Sequence, residues 1–225
     1  MLLAVVMICS LLPVMELPVS AASVNWNLSN SGTYTAANGN TYTISGAITG
    51  NNAANITVAD NATVKLVFTG NTTIDKTGAT GANARPAISL GSGAKVTIQV
   101  NPGVTVILRG SHAEAGSSNP SRNLGGAGGN GGFAGIYVPT GATLSVYAMG
   151  NLEAYGGNAG AGGNTVNTGQ NESYWNKGGG GGGGGAGAGI GGNGGGGGGG
   201  GGGSAGGKMS AYARGTGGAG GTGVG

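Results

Sequence analysis

The sequence predicts an all-β chain: a parallel β-helix, or solenoid, of a few coils over residues 23–157, preceded by a leader over 1–22 and followed by a glycine-rich low-complexity region over 158–225. Three observations carry this. The segments ITVADNATVKLVFTGNTTI from Ile56, ISLGSGAKVTIQVNPGVTV from Ile88 and IYVPTGATLSVYAMGNLEA from Ile136 align without a gap, at offsets of 32 and then 48 residues. Their apolar residues recur at every second position, the period of a strand. Outside the first 22 residues there is no amphipathic run with the helical period of 3.6 residues long enough to suggest a helix, although a short N-terminal cap helix is compatible with the sequence.

The first residues, MLLAVVMICSLLPVMELPVSAAS, form a short hydrophobic run closed by Val19-Ser20-Ala21-Ala22, the pattern of a secretory signal peptide cleaved after Ala21 or Ala22. The usual basic start is missing, since the first basic residue is Lys65. A membrane-spanning helix is the alternative, but Pro13, Glu16 and Pro18 interrupt the run before it reaches the roughly 20 residues a bilayer needs. Cys9, the single cysteine, lies in this leader, so a secreted mature chain would carry no disulfide.

After the leader, TYTAANGNTYTISGAIT alternates polar and apolar residues around Asn-Gly punctuation and reads as an opening coil or short strands. The three aligned units follow. Their inward columns are Ile56/Ile88/Ile136, Val58/Leu90/Val138, Ala62/Ala94/Ala142, Val64/Val96/Leu144 and Leu66/Ile98/Val146, continued after a turn by Ile74/Val106/Ala154. A hairpin with its tip at Asn101-Pro102-Gly103 would need no repetition. A solenoid does, because each coil buries its inward row only against like coils above and below. The NPG triplet therefore reads as a corner. Polar loops of unequal length separate the units and account for the change of offset.

The last region holds most of the 58 glycines, including 22 of the 26 residues from Gly178 to Gly203. Glycine has the most chain entropy to lose and nothing to bury, so the expectation is a mobile or weakly ordered tail, with order confined to residues packed on the last coil. The competing reading is a bundle of polyproline II helices, which uses glycine for close backbone approach.

Two stretches, IYVPTGATLSVYAMGNLEAYGG (Ile136 to Gly157) and GAGIGG (Gly187 to Gly192), resemble the repeats of large glycine-rich secreted surface proteins of Gram-positive gut bacteria. The resemblance covers about 100 residues. It implies a right-handed, pectin-lyase-like β-helix on a long cell-envelope protein used for adhesion or carbohydrate contact, and it brings no catalytic set. The glycine tract ends without another clear strand, which, with the missing basic start, suggests a piece of a longer protein continuing into further repeats.

Composition narrows the chemistry. Only 7% of residues are charged, and the nine basic residues are scattered singly, so the basic balance gives no nucleic-acid footprint. Beyond the leader the acidic residues are Asp60, Asp75, Glu114, Glu153 and Glu172, which fall in different places of the aligned frame and read as solvated turn and surface groups. His112, the single histidine, has Glu114 two residues away but no nucleophile or ligand partner. No catalytic residue, metal site or cofactor is expected. Threonine rows that could match ice are interrupted at Lys95 and Lys65.

The candidate carbohydrate contacts are Tyr137, Tyr147 and Tyr155, on the face of the third unit opposite its inward row, with Trp175 in the following linker. An exposed tyrosine offers a sugar ring an apolar face and an edge hydroxyl. The alternative is that the tyrosines cover the glycine-rich loop beside them. The sequence thus points to a non-enzymatic, secreted structural or adhesive module at a bacterial cell surface. Its potential partners are cell-surface or host glycans. The second reading is a carbohydrate-binding or degenerate polysaccharide-lyase-like domain.

Overall fold

The computed structural model describes residues 22–117, 127–163 and 183–197. The leader and Trp175 lie outside them. The described chain is all-β, with parallel strands in two sheets and a single 3-10 turn at Gly81–Asn83. The strands are β1 (Ser23–Leu28), β2 (Tyr34–Ala36), β3 (Thr41–Thr49), β4 (Ile56–Val58), β5 (Thr63–Asp75), β6 (Ile88–Ser89), β7 (Lys95–Val100), β8 (Thr105–Arg109), β9 (Ile136–Tyr137), β10 (Thr143–Ala148), β11 (Asn151–Tyr155) and β12 (Ile190–Gly191). One sheet has seven strands, running β1-β3-β5-β7-β10, with β8 and β11 continuing the far half of β5. The other has five, in the order β2-β4-β6-β9-β12.

Every strand pair is parallel, including those on either side of Asn101-Pro102-Gly103, so that triplet is not a hairpin tip. It is a type II turn: Val104 donates to the Asn101 carbonyl, Pro102 fixes the second position and Gly103 takes φ +75° at the third. The same device precedes β5, β7 and β10, where the residue before the recurring alanine of each unit (Asn61 before Ala62, Gly93 before Ala94, Gly141 before Ala142) has φ between 56° and 83°. The left-handed backbone needed there explains glycine in two units and asparagine, the residue that best tolerates it, in the third.

The register places Ile56 beside Ile88 and Ile88 beside Ile136, Val64 beside Val96 and Leu144 beside Val96, as the columns predict. Ile44, Leu66, Phe68, Ile98 and Leu108 are fully buried between the sheets, each such burial contributing roughly 1.5–3 kcal/mol. One inward column runs through all five strands of the main path as Trp26, Ile44, Phe68, Val100 and Ala148. At its first end Trp26 packs on Tyr42, with ring centroids 4.2 Å apart, and edge-on to Tyr34 at 5.5 Å.

Two predicted columns are corrected. Ile74 stands beside Leu108, not Val106, and Leu108 beside Ala154. The turn at 101–104 lengthens the second unit by two residues relative to the continuous strand β5. Because side chains alternate with period two, a two-residue slip keeps the apolar row facing inward. Val146, expected inward and buried, is 40% exposed, since β10 is the last described strand of its sheet and is covered from one side only.

The expectation of a weakly ordered tail falls for the most part on residues 164–182 and 198–225, outside the described ones; the described glycine-rich segments depart from it. Residues 183–197 form hydrogen bonds with a three-residue period to segments on both sides of residue 157. Gly157, Gly160 and Gly163 donate to Phe133, Asn130 and Ala127. Gly184 and Gly187 donate to Gly160 and Gly157, and Gly194 and Gly197 to Gly132 and Gly129. Gly185 and Ala188 donate across the fold of the segment to Gly195 and Gly192, and three residues per repeat in each arm is the spacing of polyproline II. A Cβ on Gly160 would collide with the Glu114 carbonyl, on Gly157 with that of Ser111, and on Gly184 with that of Asn130. Glycine is required here for space, which an entropic linker does not require, and order extends well beyond the residues next to the last strand.

Two expected outcomes follow from this packing. Ile98→Asp, which places an unpaired charge in the stacked row, should abolish cooperative thermal unfolding, a loss above about 4 kcal/mol, whereas Thr97→Asp on the outer row should change the midpoint little. Gly160→Ala in a flexible linker would stabilise by about 0.4–1 kcal/mol. In the packed ladder it should lower the unfolding midpoint, and a rise would contradict the packing described.

Candidate functional site

The outer face of the seven-stranded sheet carries one ordered cluster of polar and aromatic side chains. It is built by register. Asp75 on β5 stands beside Arg109 on β8, and Arg109 beside Tyr155 on β11. Alternation within β11 puts Glu153 and Asn151 on the same face. Arg109 Nη1 donates to Asp75 Oδ2 at 3.2 Å, and the guanidinium lies 5.2 Å from the centre of the Tyr155 ring. The Tyr155 hydroxyl donates to Glu153 Oε2 at 2.9 Å, and Asn151 Nδ2 to Glu153 Oε1 at 2.8 Å.

These contacts set the charges. Partial burial alone would raise the Asp75 carboxyl, but bonds from the Thr77 hydroxyl and amide, together with Arg109, outweigh it and hold the group below its ordinary range. The Tyr155 hydroxyl, followed by the Asn151 amide, lowers Glu153, and the same bond to Glu153 raises the Tyr155 phenol. At neutral pH the cluster is therefore an alternation of carboxylate, guanidinium, neutral phenol and carboxylate. It offers hydrogen-bond acceptors and an aromatic face to a polar ligand.

Tyr155 is 46% exposed and Tyr147, on β10, 64% exposed. Tyr137 is separated from both: it lies on β9 in the five-stranded sheet and is half-buried. The structure thus brings Tyr147 and Tyr155 to one sheet and places Tyr137 on the other. Glu153, Arg109, Asp75 and Asn151 were not singled out as site residues from the sequence, although they surround Tyr155.

The remaining groups with catalytic potential are tied into the scaffold. His112 Nδ1 accepts the Asn158 amide at 2.9 Å, and Glu114 Oε1 accepts the Gly81 amide at 2.7 Å, so the two side chains serve different loops. Asp60 Oδ1 accepts the Ser92 amide. Lys76 is buried, its Nζ donating to the Asn52 carbonyl and side-chain oxygen, and burial, with the charge of Arg85 second, pushes the ammonium below its usual range. Arg85 borders an open polar groove with Tyr34 and Asn55, but donates to the carbonyls of Asn83, Ala53 and Ala82. Among the described residues no three His, Cys, Asp or Glu side chains gather as a metal site, and no helix is long and apolar enough to cross a membrane.

Compared with known proteins, the chain matches no family model, no curated protein and no solved structure.

The lowered Asp75 carboxyl gives a signed pH dependence. Its folded value lies below 3.8, so its contribution to stability is fully present above that pH and is lost as pH falls through the folded value. The half-exposed pair with Arg109 contributes about 0.2–1 kcal/mol. Asp75→Asn should be less stable than the parent at pH 7 by that order, and the gap between their urea midpoints should close toward pH 2. A gap that stays constant would remove Asp75 from the acid limb.

Proposed function

We propose that the chain is a right-handed parallel β-helix that serves as a non-enzymatic structural and adhesive module of a secreted bacterial surface protein. The observation that carries this reading is the in-register stacking of equivalent residues, Ile56 on Ile88 on Ile136 and Leu66 on Ile98 on Val146, through parallel pairs in both sheets. Such stacking makes a scaffold that lengthens by adding units and leaves its outer rows free to vary. The carboxylates and the histidine of the described segments are engaged in fixing turns, loops and strands, which suits a display scaffold.

The adhesive part of the reading rests on the Tyr155 cluster. An exposed ring over Arg109, flanked by the Glu153 carboxylate and the Asn151 amide, offers a sugar both a stacking face and acceptors for its hydroxyls. The reading of Tyr137 as part of the same contact is not retained, because it stands on the other sheet.

A glycan-array screen of the whole chain tests this. Binding to one glycan class, weakened about tenfold or more by Tyr155→Ala and by Glu153→Gln, is the expected result; truncating a stacked aromatic removes on the order of 1–3 kcal/mol of contact. Binding indifferent to both substitutions would move the contact elsewhere. Release of reducing ends from any arrayed polysaccharide would overturn the non-enzymatic assignment.

A further inference from the structure

Lys76 has no counterpart in the stack. Asp75, Arg109 and Tyr155 stand side by side across β5, β8 and β11, so the residues that follow them, Lys76, Gly110 and Gly156, occupy equivalent places. Two units need only glycine there, whereas the first holds an amine that is fully buried. Burying an ammonium without an opposite charge is costly. No carboxylate is among the partners of the Lys76 amine, and the one ion pair among the described residues joins Arg109 to Asp75. The stacking does not call for this cost, so the group that the amine faces decides its role.

It faces the carboxamide of Asn52, in the loop between β3 and β4. Lys76 Nζ donates to the Asn52 backbone carbonyl at 2.6 Å and lies 3.2 Å from Asn52 Oδ1. The carboxamide is fixed at both ends. Oδ1 accepts the Ala54 amide at 3.0 Å, and Nδ2 donates to the Thr49 carbonyl at 2.8 Å. Arg85 brings a guanidinium to the same loop, its Nη1 donating to the Ala53 carbonyl at 2.9 Å.

We propose that Lys76 and Asn52 are the two partners of an intramolecular isopeptide bond, formed by attack of the lysine amine on the asparagine carboxamide. Nζ bonds to Cγ of Asn52, the Cγ–Nδ2 bond breaks, and Nδ2 leaves as ammonia with one proton taken from Nζ. The step balances without an oxidant, a reductant or a second molecule. Attack needs a neutral amine, and burial, with the charge of Arg85 second, pushes Lys76 below its usual range. The N–H donated to the Asn52 carbonyl holds the amine in place while its lone pair is free for the carbon that bears Oδ1. Negative charge developing on Oδ1 meets the Ala54 amide already directed at it, with the Arg85 guanidinium on the neighbouring carbonyl. Fixing both groups in contact turns a slow encounter into an intramolecular step. Asn52 is half-buried, which leaves the ammonia a way out.

The bond closes a loop over residues 52–76 that contains β4 and β5, and so ties the connection after β3 to the end of β5 on the neighbouring coil. Stacked coils hold only to their neighbours, so a covalent tie between two of them resists peeling of the stack, in a chain whose described residues include no cysteine. The inference rests on the contacts of this one loop and not on the adhesive reading.

Mass spectrometry of the full chain, after prolonged incubation at mildly alkaline pH, tests it. Counted from the N-terminus found by sequencing, the parent should be lighter than its sequence by one ammonia, about 17 Da, while Lys76→Met and Asn52→Ala each keep the full mass of theirs. Trypsin should fail to cut after Lys76 in the parent and should release Leu66–Lys95 joined to the peptide that ends at Lys65, since Pro86 blocks cleavage after Arg85. A parent of full mass that is cut normally after Lys76 would overturn the proposal. So would a loss of ammonia with normal cleavage after Lys76, which would mark closure of Asn52 on the Ala53 amide instead of on the lysine.

Discussion

The structure depends on one constraint: an inward side chain of a parallel strand is buried only if a like side chain sits in register on the strand beside it. Ile56, Ile88 and Ile136 satisfy it in the small sheet, and Leu66 and Ile98 in the large one. The constraint decides which changes of length are harmless. Loops between units are free, so the second connection can be much longer than the first. Insertions within a strand row must be even, as the two extra residues of the turn at Asn101–Val104 are, or the apolar row would turn outward.

A second kind of packing adjoins the first and obeys opposite rules. Between the sheets, large side chains fill space that backbones cannot reach. In the ladder formed by 127–135, 156–163 and 183–197, carbonyls occupy the places where side chains would begin, and the three-residue period of bonds from Gly157, Gly160 and Gly163 takes over the role of the columns. Ser111 joins the two regimes: it is buried, its hydroxyl links to Arg85 of the strand region, and its carbonyl accepts Phe133 of the ladder.

The strand register before the corner was legible because apolar identity repeats at fixed offsets, and the corner at Asn101-Pro102-Gly103 because a hairpin would not need that repetition. What was hidden has physical causes. The ladder bonds through backbone groups, and a glycine sequence carries no record of which carbonyl it faces; only the every-third-residue glycines of 129–135 and 157–163 hint at it. The Tyr155 cluster was missed through the slip of two residues. With equal offsets Asp75 aligns with Ile107, whereas the observed register sets it beside Arg109, and the charged row becomes visible. Tyr147 and Tyr155 were placed on the outer face correctly, but the separation of Tyr137 depends on which sheet receives β9, which alternation alone cannot tell.

The ladder of 156–163 has a consequence outside folding. Proteases of narrow specificity select their substrates by a pocket that grips one side chain, and the stretch from Gly156 to Gly163 presents nothing larger than alanine and asparagine. The amides of Gly157, Gly160 and Gly163 are also held by neighbouring carbonyls, which resists drawing the backbone out to add as a strand in an enzyme's cleft. Residues that look from their composition like the weakest part of the chain are, in this arrangement, poor substrates for digestion.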